Sequence, residues 1–398
     1  MSSTITTMLQ PSYEQKRKIL ILSSEYPPNM EGGLGTHVEG LSSFLAKDYV
    51  VHVITPNILG APSYQLYKEV HVHRVDTINN ESEHLIEWIG QVNIAIVEKV
   101  LELHSEHSFQ LIHAHDWLVG YAAITLKVEC NVPLITTIHS TEYGRSKVNG
   151  FIGDIQHKIY EIESLLLKKS DKIIVCSKGM FDEVCFIEDV KGKTTIIPNG
   201  IQIEEQNRSS SNPSYLEKKK VVLAIGRLVP EKGFQHLVQA AAIVSNQIED
   251  VLFVLAGVGP IKKNLEKQVK RLGLESSFLF VGYVKSAEKK ALIQSSDVVV
   301  IPSLYEPFGI VAIEAMKERK PVIAASIGGL KSIIKHEHDG LLVECTNRNE
   351  LAQAISRILH NEQESATFGE HAYEKVRIHY SWKRVITLTK SVYNHVLR

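Results

Sequence analysis

Short apolar runs rich in β-branched residues alternate along this chain with longer stretches whose apolar positions recur every three or four residues. Lys18–Leu22, Val50–Ile54, Leu111–Ala114, Leu134–Ile138 and Lys172–Val175 form a first set of runs. Each is almost continuously apolar, as strands are when helices cover both faces of a parallel sheet. Helical segments such as Val38–Ala46 and Ile159–Lys169 lie between them. This alternation predicts a doubly wound α/β domain.

The series then restarts. Val221–Ile225, Val251–Ala256, Phe278–Val281, Val298–Ile301 and Val322–Ala325 form a second strand set, alternating with helices such as Phe234–Val244 and Val311–Lys317. Gln206–Lys220, rich in Ser, Asn and Lys, reads as the linker. The expected organisation is a loose extension over 1–17, one Rossmann-like domain over 18–205, a second over 206–380, and a terminal helix over 381–398. In that helix Trp382, Val385, Leu388, Val392 and Val396 recur at roughly helical spacing. A chain of 398 residues is too long for one ordinary core. Open α/β sheets bind ligands beyond the carboxyl ends of their strands, so a cleft between two facing domains is the expected site.

Composition narrows the partners. A hydrophobic fraction of 44% and a charged fraction of 22% fit a globular protein. The net charge of −1 supplies no basic field of the kind that gathers nucleic acid by counterion release. Cys130, Cys176, Cys185 and Cys345 are scattered without metal-like spacing, which fits free thiols in a reducing compartment. The first 17 residues lack the apolar stretch of a secretory signal, and no run reaches the roughly 18 apolar residues of a membrane span. A cytoplasmic location is expected.

The sharpest chemical signal runs from Ser303 to Met316, with Glu306, Phe308, Gly309, Ile310 and Glu314 inside it. It follows a strand and opens a helix. Glu306 falls in the turn, Gly309 allows close backbone approach, and the free N–H groups around Phe308 to Ile310 form an anion site suited to a diphosphate. Glu314 can accept hydrogen bonds from vicinal hydroxyls such as those of a ribose. Alone, Glu306 reads more readily as a helix cap and Glu314 as a solvated surface charge, because such spacing is common by chance. The turn Gly226-Arg227-Leu228-Val229-Pro230-Glu231-Lys232-Gly233 shifts the balance, because it follows the first strand of the second domain. Arg227 offers a planar fork and Lys232 a mobile point charge to phosphate. Ala256-Gly257-Val258-Gly259 ends the next strand and adds a weaker signal of the same kind.

Together these elements resemble the donor-site signature of the large retaining GT-B glycosyltransferase family 4, with some likeness to the family 5 glycogen synthases. Gly32-Gly33-Leu34-Gly35, His113-Ala114-His115-Asp116-Trp117, Thr137-Ile138-His139-Ser140-Thr141, Pro198-Asn199-Gly200 and Gly328-Gly329 extend the likeness over most of the chain. The resemblance implies a GT-B fold, with Arg227 and Lys232 on the donor diphosphate and Glu314 on the ribose. Glu306 would lie beside the transferred sugar, Gly33 against the phosphates from the opposite domain, and His139 near the sugar's C6 hydroxyl. Gly257 would belong to the donor site, and Asp116 and Trp117 would line the acceptor side. The terminal helix would cross back onto the first domain.

The resemblance further implies retention of anomeric configuration and a nucleotide-diphosphate sugar as co-substrate, UDP-linked in the first instance, with no other cofactor. The chain has no Asp-x-Asp, so Arg227 and Lys232 are expected to replace a metal ion. His113, His115 and Asp116, or His336 to Asp339, are too close in sequence to close readily into a tetrahedral shell. Lys331-Ser332 stands where the family usually carries an acidic residue, and Asn29-Met30-Glu31 replaces the Lys that precedes Gly-Gly-Leu in bacterial glycogen synthases. The acceptor, a glycan, lipid or small metabolite, stays open, as do contact with a membrane surface and the oligomeric state. Glucan elongation, a nucleotide-sugar epimerase and a silent binding scaffold are the competing readings.

Overall fold

The computed structural model describes residues 16–30, 32–57, 60–77, 85–150, 152–203, 216 and 219–397. Most of the expected extension and linker lies outside the described residues. The first sheet is built from β1 (Lys18–Leu22), β2 (Val50–Pro56), β3 (Tyr64–Tyr67), β4 (Val70–Val75), β5 (Leu111–His115), β6 (Leu134–Ile138), β7 (Lys172–Val175) and β8 (Thr194–Ile196). Its order is β3-β4-β2-β1-β5-β6-β7-β8, parallel except for the antiparallel β3–β4 pair. The second sheet holds β9 (Lys220–Ile225), β10 (Val251–Ala256), β11 (Phe278–Gly282), β12 (Val298–Ile301), β13 (Val322–Ala325) and β14 (Leu341–Val343). It is wholly parallel in the order β11-β10-β9-β12-β13-β14. Two Rossmann-like sheets of this kind make the GT-B fold.

Burial explains the run-like strands. All five residues of β5 and β6 and all six of β10 are buried, with helices over both faces. In both sheets the chain leaves the first strand (β1 or β9) and later returns on its other side (β5 or β12), so each sheet has a switch point at its centre. The loops that follow β1, β5, β6, β9, β10, β12 and β13 all open there.

The last helix, Trp382–Val396, packs on the first-domain helix Gly33–Leu45. Trp382 enters a slot left by Gly40 and Gly200, where added Cβ atoms would lie 2.0 and 2.6 Å from the indole. Its ring stacks on Phe44 at 5.7 Å between centroids. Deeper in, the Tyr393 hydroxyl bonds His113 Nδ1 at 2.7 Å, while His113 Nε2 meets Thr137 Oγ1 at 2.7 Å. No helix among the described residues is long and apolar enough to cross a membrane.

Candidate active site

The turns that follow β9, β10, β12 and β13 are wired to one another through backbone. Gly233, at φ 69°, sits where a side chain would strike the Pro302 carbonyl at 1.9 Å, so the β9 loop lies directly on the end of β12. Leu304 and Tyr305 N–H both donate to the Glu231 carbonyl, at 2.7 and 3.3 Å. Gly329 N–H donates to the Glu306 carbonyl at 2.9 Å, and a Cβ on Gly329 would meet Phe308 Cα at 2.4 Å. Glycine is required at these crossings because backbone meets backbone. Gly257, at φ 151°, crosses the Gly226 carbonyl in the same way, with 1.8 Å left for a Cβ.

This scaffold brings Lys232 and Glu306 into contact. Lys232 Nζ donates to Glu306 Oε2 at 2.7 Å, and Ser303 Oγ donates to the same oxygen at 3.0 Å. Gly309, at φ 114°, begins the helix Ile310–Lys317, whose first N–H groups have no intrahelical acceptor. Phe308 turns its ring inward against Tyr380, so only its backbone is left at the start of the helix. Gly33 faces this helix start from the first domain; a Cβ there would lie 2.7 Å from Ile310 Cδ1. One turn into the helix, Glu314 Oε1 accepts from Lys289 Nζ at 2.5 Å. Among the described residues, Glu314 Oε2 is buried and has no hydrogen-bond partner. Arg227 is exposed at the mouth of β9 and forms no ion pair among the described residues.

The opposite wall is made of imidazoles. His37, His115 and His139 place ligand-type nitrogens within 4.8 Å of one another. His115 Nδ1 and His139 Nε2 are 3.0 Å apart, a hydrogen bond, while His115 Nε2 is buried without a hydrogen-bond partner among the described residues. Burial holds His37 at about 4 and keeps His115 and His139 well below the usual imidazole range, so all three rings are neutral near pH 7. The sequence pairs His115 with His113 and Asp116; the fold instead brings it to His37 and His139, from a separate helix and strand end. His113 is spent on Thr137 and Tyr393, and Asp339 is buried and ion-paired with Lys375.

Asp116 is a positioning group. Its carboxylate accepts the His139 N–H at 2.6 Å and its own N–H donates to the Thr137 carbonyl at 3.0 Å. Burial pushes its carboxyl up to about 7 against that hydrogen bond. Its backbone lies at φ 59° and ψ 176°, a region costing on the order of 1–3 kcal/mol for a residue with a side chain. Trp117 does not line the cleft. It packs in a small core with Ile89, Ile159 and Ile162, which accounts for it as a packing residue and corrects the acceptor-side expectation.

Sequence reasoning missed Lys289 and His37, and gave Ser303, which opens the Ser303–Met316 motif, no role of its own. Lys289 stands in the helix Ser286–Ser295 with no motif around it.

Comparison with known proteins decides the family. Residues 31–205 match the Glycosyltransferase Family 4 model, and residues 205–375 match Glycosyl transferases group 1. A glycosyltransferase of Methanocaldococcus jannaschii is 34% identical over 387 residues, covering 94% of this chain and 97% of that protein. The chain belongs to the family 4, group 1 glycosyltransferases. This glycosyltransferase is also 31% identical to a glycogen synthase of Mycobacterium tuberculosis, over 94% of each chain. Among solved structures, a sucrose-phosphate synthase from Thermosynechococcus elongatus superposes with a TM-score of 0.83 at 26% identity, over 96% of this chain and 99% of that one. Anabaena HepE, in complex with UDP-glucose, gives a TM-score of 0.77 at 21% identity, over 95% of this chain and 99% of its own.

Proposed function

We propose that the enzyme is a retaining glycosyltransferase that moves a hexosyl unit, such as glucose or N-acetylglucosamine, from a UDP-sugar to a hydroxyl of its acceptor. One observation carries the reading. Glu314 Oε2, buried and without a hydrogen-bond partner among the described residues, lies about one turn into the helix that begins after Gly309, and the turn leading into that helix carries Glu306 of the Lys232–Glu306 pair.

In this reading the ribose hydroxyls fill the vacant Glu314 oxygen and the diphosphate lies over the Ile310 helix start. Lys232 trades its carboxylate partner for phosphate, joined by the exposed Arg227. Glu306, released, accepts from hydroxyls of the transferred sugar, and neutral His139 meets the sugar from the opposite wall. Departure of the nucleoside diphosphate places negative charge on the bridging oxygen, which fixed cations in a water-poor cleft stabilise. An acceptor hydroxyl attacking from the same face stands next to that oxygen, so its proton passes to the leaving phosphate. The test is a panel of UDP-, ADP- and GDP-sugars with released nucleotide and hydrolysed sugar read by mass. Turnover of a UDP-hexose supports the assignment. Turnover of ADP- or GDP-sugars alone would move the donor.

Glucan elongation is the second reading, favoured by 31% identity to a glycogen synthase along almost the whole chain. Extension of maltooligosaccharides by one or more glucosyl units would establish it.

A further inference from the structure

Tyr305 precedes Glu306 in the second-domain turn, yet its side chain is lodged in the first domain. The ring rests against Gly144, where a Cβ would lie 2.2 Å from the ring carbon Cε2. The phenol donates to Glu183 Oε1 at 2.8 Å and accepts the Thr141 N–H at 3.1 Å, with Met180 Sδ 3.8 Å away. Thr141 Oγ1 donates to the same carboxylate oxygen, and it caps the helix Glu142–Asn149 by accepting from Gly144 N–H at 3.0 Å. Burial raises the Tyr305 phenol well above its ordinary range and raises the Glu183 carboxyl. A buried hydroxyl with its one donor and one acceptor both satisfied across a domain boundary is a specific fit rather than general packing.

The fit is wired to the chemistry at both ends. On the second-domain side, Tyr305 N–H shares the Glu231 carbonyl with Leu304, and Glu231 and Lys232 are adjacent; Glu306 is the next residue along. On the first-domain side, Thr141 belongs to the same strand-end loop as His139, whose N–H is held by Asp116. Flanking contacts follow the same seam: Ser177 Oγ donates to the Pro307 carbonyl at 2.6 Å, and a Cβ on Gly179 would lie 3.1 Å from Gly328.

We propose that Tyr305 is the key of an interdomain lock, a positioning residue that holds the two domains closed and sets Glu306 and Lys232 at their working distance from His139. Gly144, Thr141 and Glu183 form the keyway. The lock rests on the donor-site reading for its consequence in catalysis, but its contacts are between protein groups alone and can be tested without substrate. Opening it is then part of every turnover, since nucleotide must enter and leave between the domains.

Tyr305→Phe keeps the ring and removes both hydroxyl bonds; Gly144→Ala keeps the hydroxyl and obstructs the ring. Each variant is expected to fold, to accelerate amide exchange at Thr141 by about 10-fold or more in the ligand-free protein, and to increase the radius of gyration in small-angle scattering. Glu183→Gln retains an acceptor for the phenol and is expected to stay closed, whereas Glu183→Leu opens. UDP affinity, measured by titration calorimetry, is expected to stay within about two-fold of wild type because the second domain holds the nucleotide, while turnover falls by about 10-fold or more through misplacement of the reacting groups. Unchanged Thr141 exchange and unchanged scattering in both Tyr305→Phe and Gly144→Ala would overturn the lock. Failure of the wild type to turn over any UDP-sugar would leave those two measurements intact and fall on the donor reading alone.

Discussion

Lys232 and Glu306 close on each other at the mouth of the second sheet, Nζ to Oε2 at 2.7 Å, with both side chains largely withdrawn from solvent. Each charge satisfies the other, and in the proposed reaction each has a second use, toward the diphosphate for Lys232 and toward the sugar for Glu306. A lysine that must leave a carboxylate to reach a diphosphate binds that diphosphate less tightly than it otherwise would.

Glu306→Gln therefore separates binding from turnover. Freeing Lys232 is expected to tighten UDP binding by up to about 10-fold, while loss of the sugar contact lowers kcat by about 100-fold. Calorimetry and steady-state kinetics check the two halves; parallel losses of affinity and kcat would contradict the exchange.

Glu314 has one oxygen on Lys289 and one that forms no hydrogen bond among the described residues. With the ribose on Glu314, the wild type discriminates UDP from 2′-deoxy-UDP, and Glu314→Gln reduces that discrimination. A charge-assisted hydrogen bond contributes about 1.5–3 kcal/mol, so wild-type discrimination of about 10-fold or more is expected in competition binding. Equal loss for both nucleotides would move the ribose elsewhere.

The terminal helix is fastened by Trp382. Trp382→Ala is expected to cost about 3–5 kcal/mol in urea unfolding through the cavity it leaves. Gly40→Ala forces a methyl to within 2.0 Å of the indole and is expected to cost about 1–3 kcal/mol by overpacking. Tolerance of both substitutions would mean that the helix is not anchored at this slot.

Acid is expected to destabilise the fold. Burial holds His52 and His113 at about 3 and His37 and His73 at about 4. The unfolded chain takes up these protons near pH 6.5 and the folded chain does not, so stability is lost as pH falls from about 6.5 toward 3, by about 1.4 kcal/mol per unit for each such ring. Asp116 and Glu163, raised by burial to about 7 and about 8, act in the opposite sense. They ionise near pH 4 when unfolded, so they favour the folded chain as pH falls from 8 to 4. The histidines outnumber them, and His113→Gln should flatten the acid limb in thermal unfolding. A melting temperature that rises steadily from pH 6.5 to 5 would contradict this balance.

Much of this was legible because glycine and apolar runs report local geometry. Most strands of both sheets fall where continuous apolar runs place them, and Gly226, Gly233 and Gly309 mark the backbone crossings of the donor side. The edge strands were less visible. Tyr64–Tyr67 is largely exposed, and Val70–Val75 interrupts its apolar positions with His71, His73 and Arg74. Lys289 and His37 gave no signal, and Tyr305 gave none beyond its place in the motif, because their partners lie on other elements and only the packing of helices and domains brings them together. Trp117 misled for the converse reason: its neighbour Asp116 does face His139, while the next turn directs the indole into the core.

The most direct measurement is the rate of nucleoside diphosphate release from a UDP-sugar by the wild type and by Lys232→Ala. Turnover by the wild type, with a loss of about 100-fold or more in kcat in the variant, is the expected result for a cation that stabilises the departing diphosphate. Near-normal kcat in Lys232→Ala would contradict the assignment of this lysine and the donor site built around it.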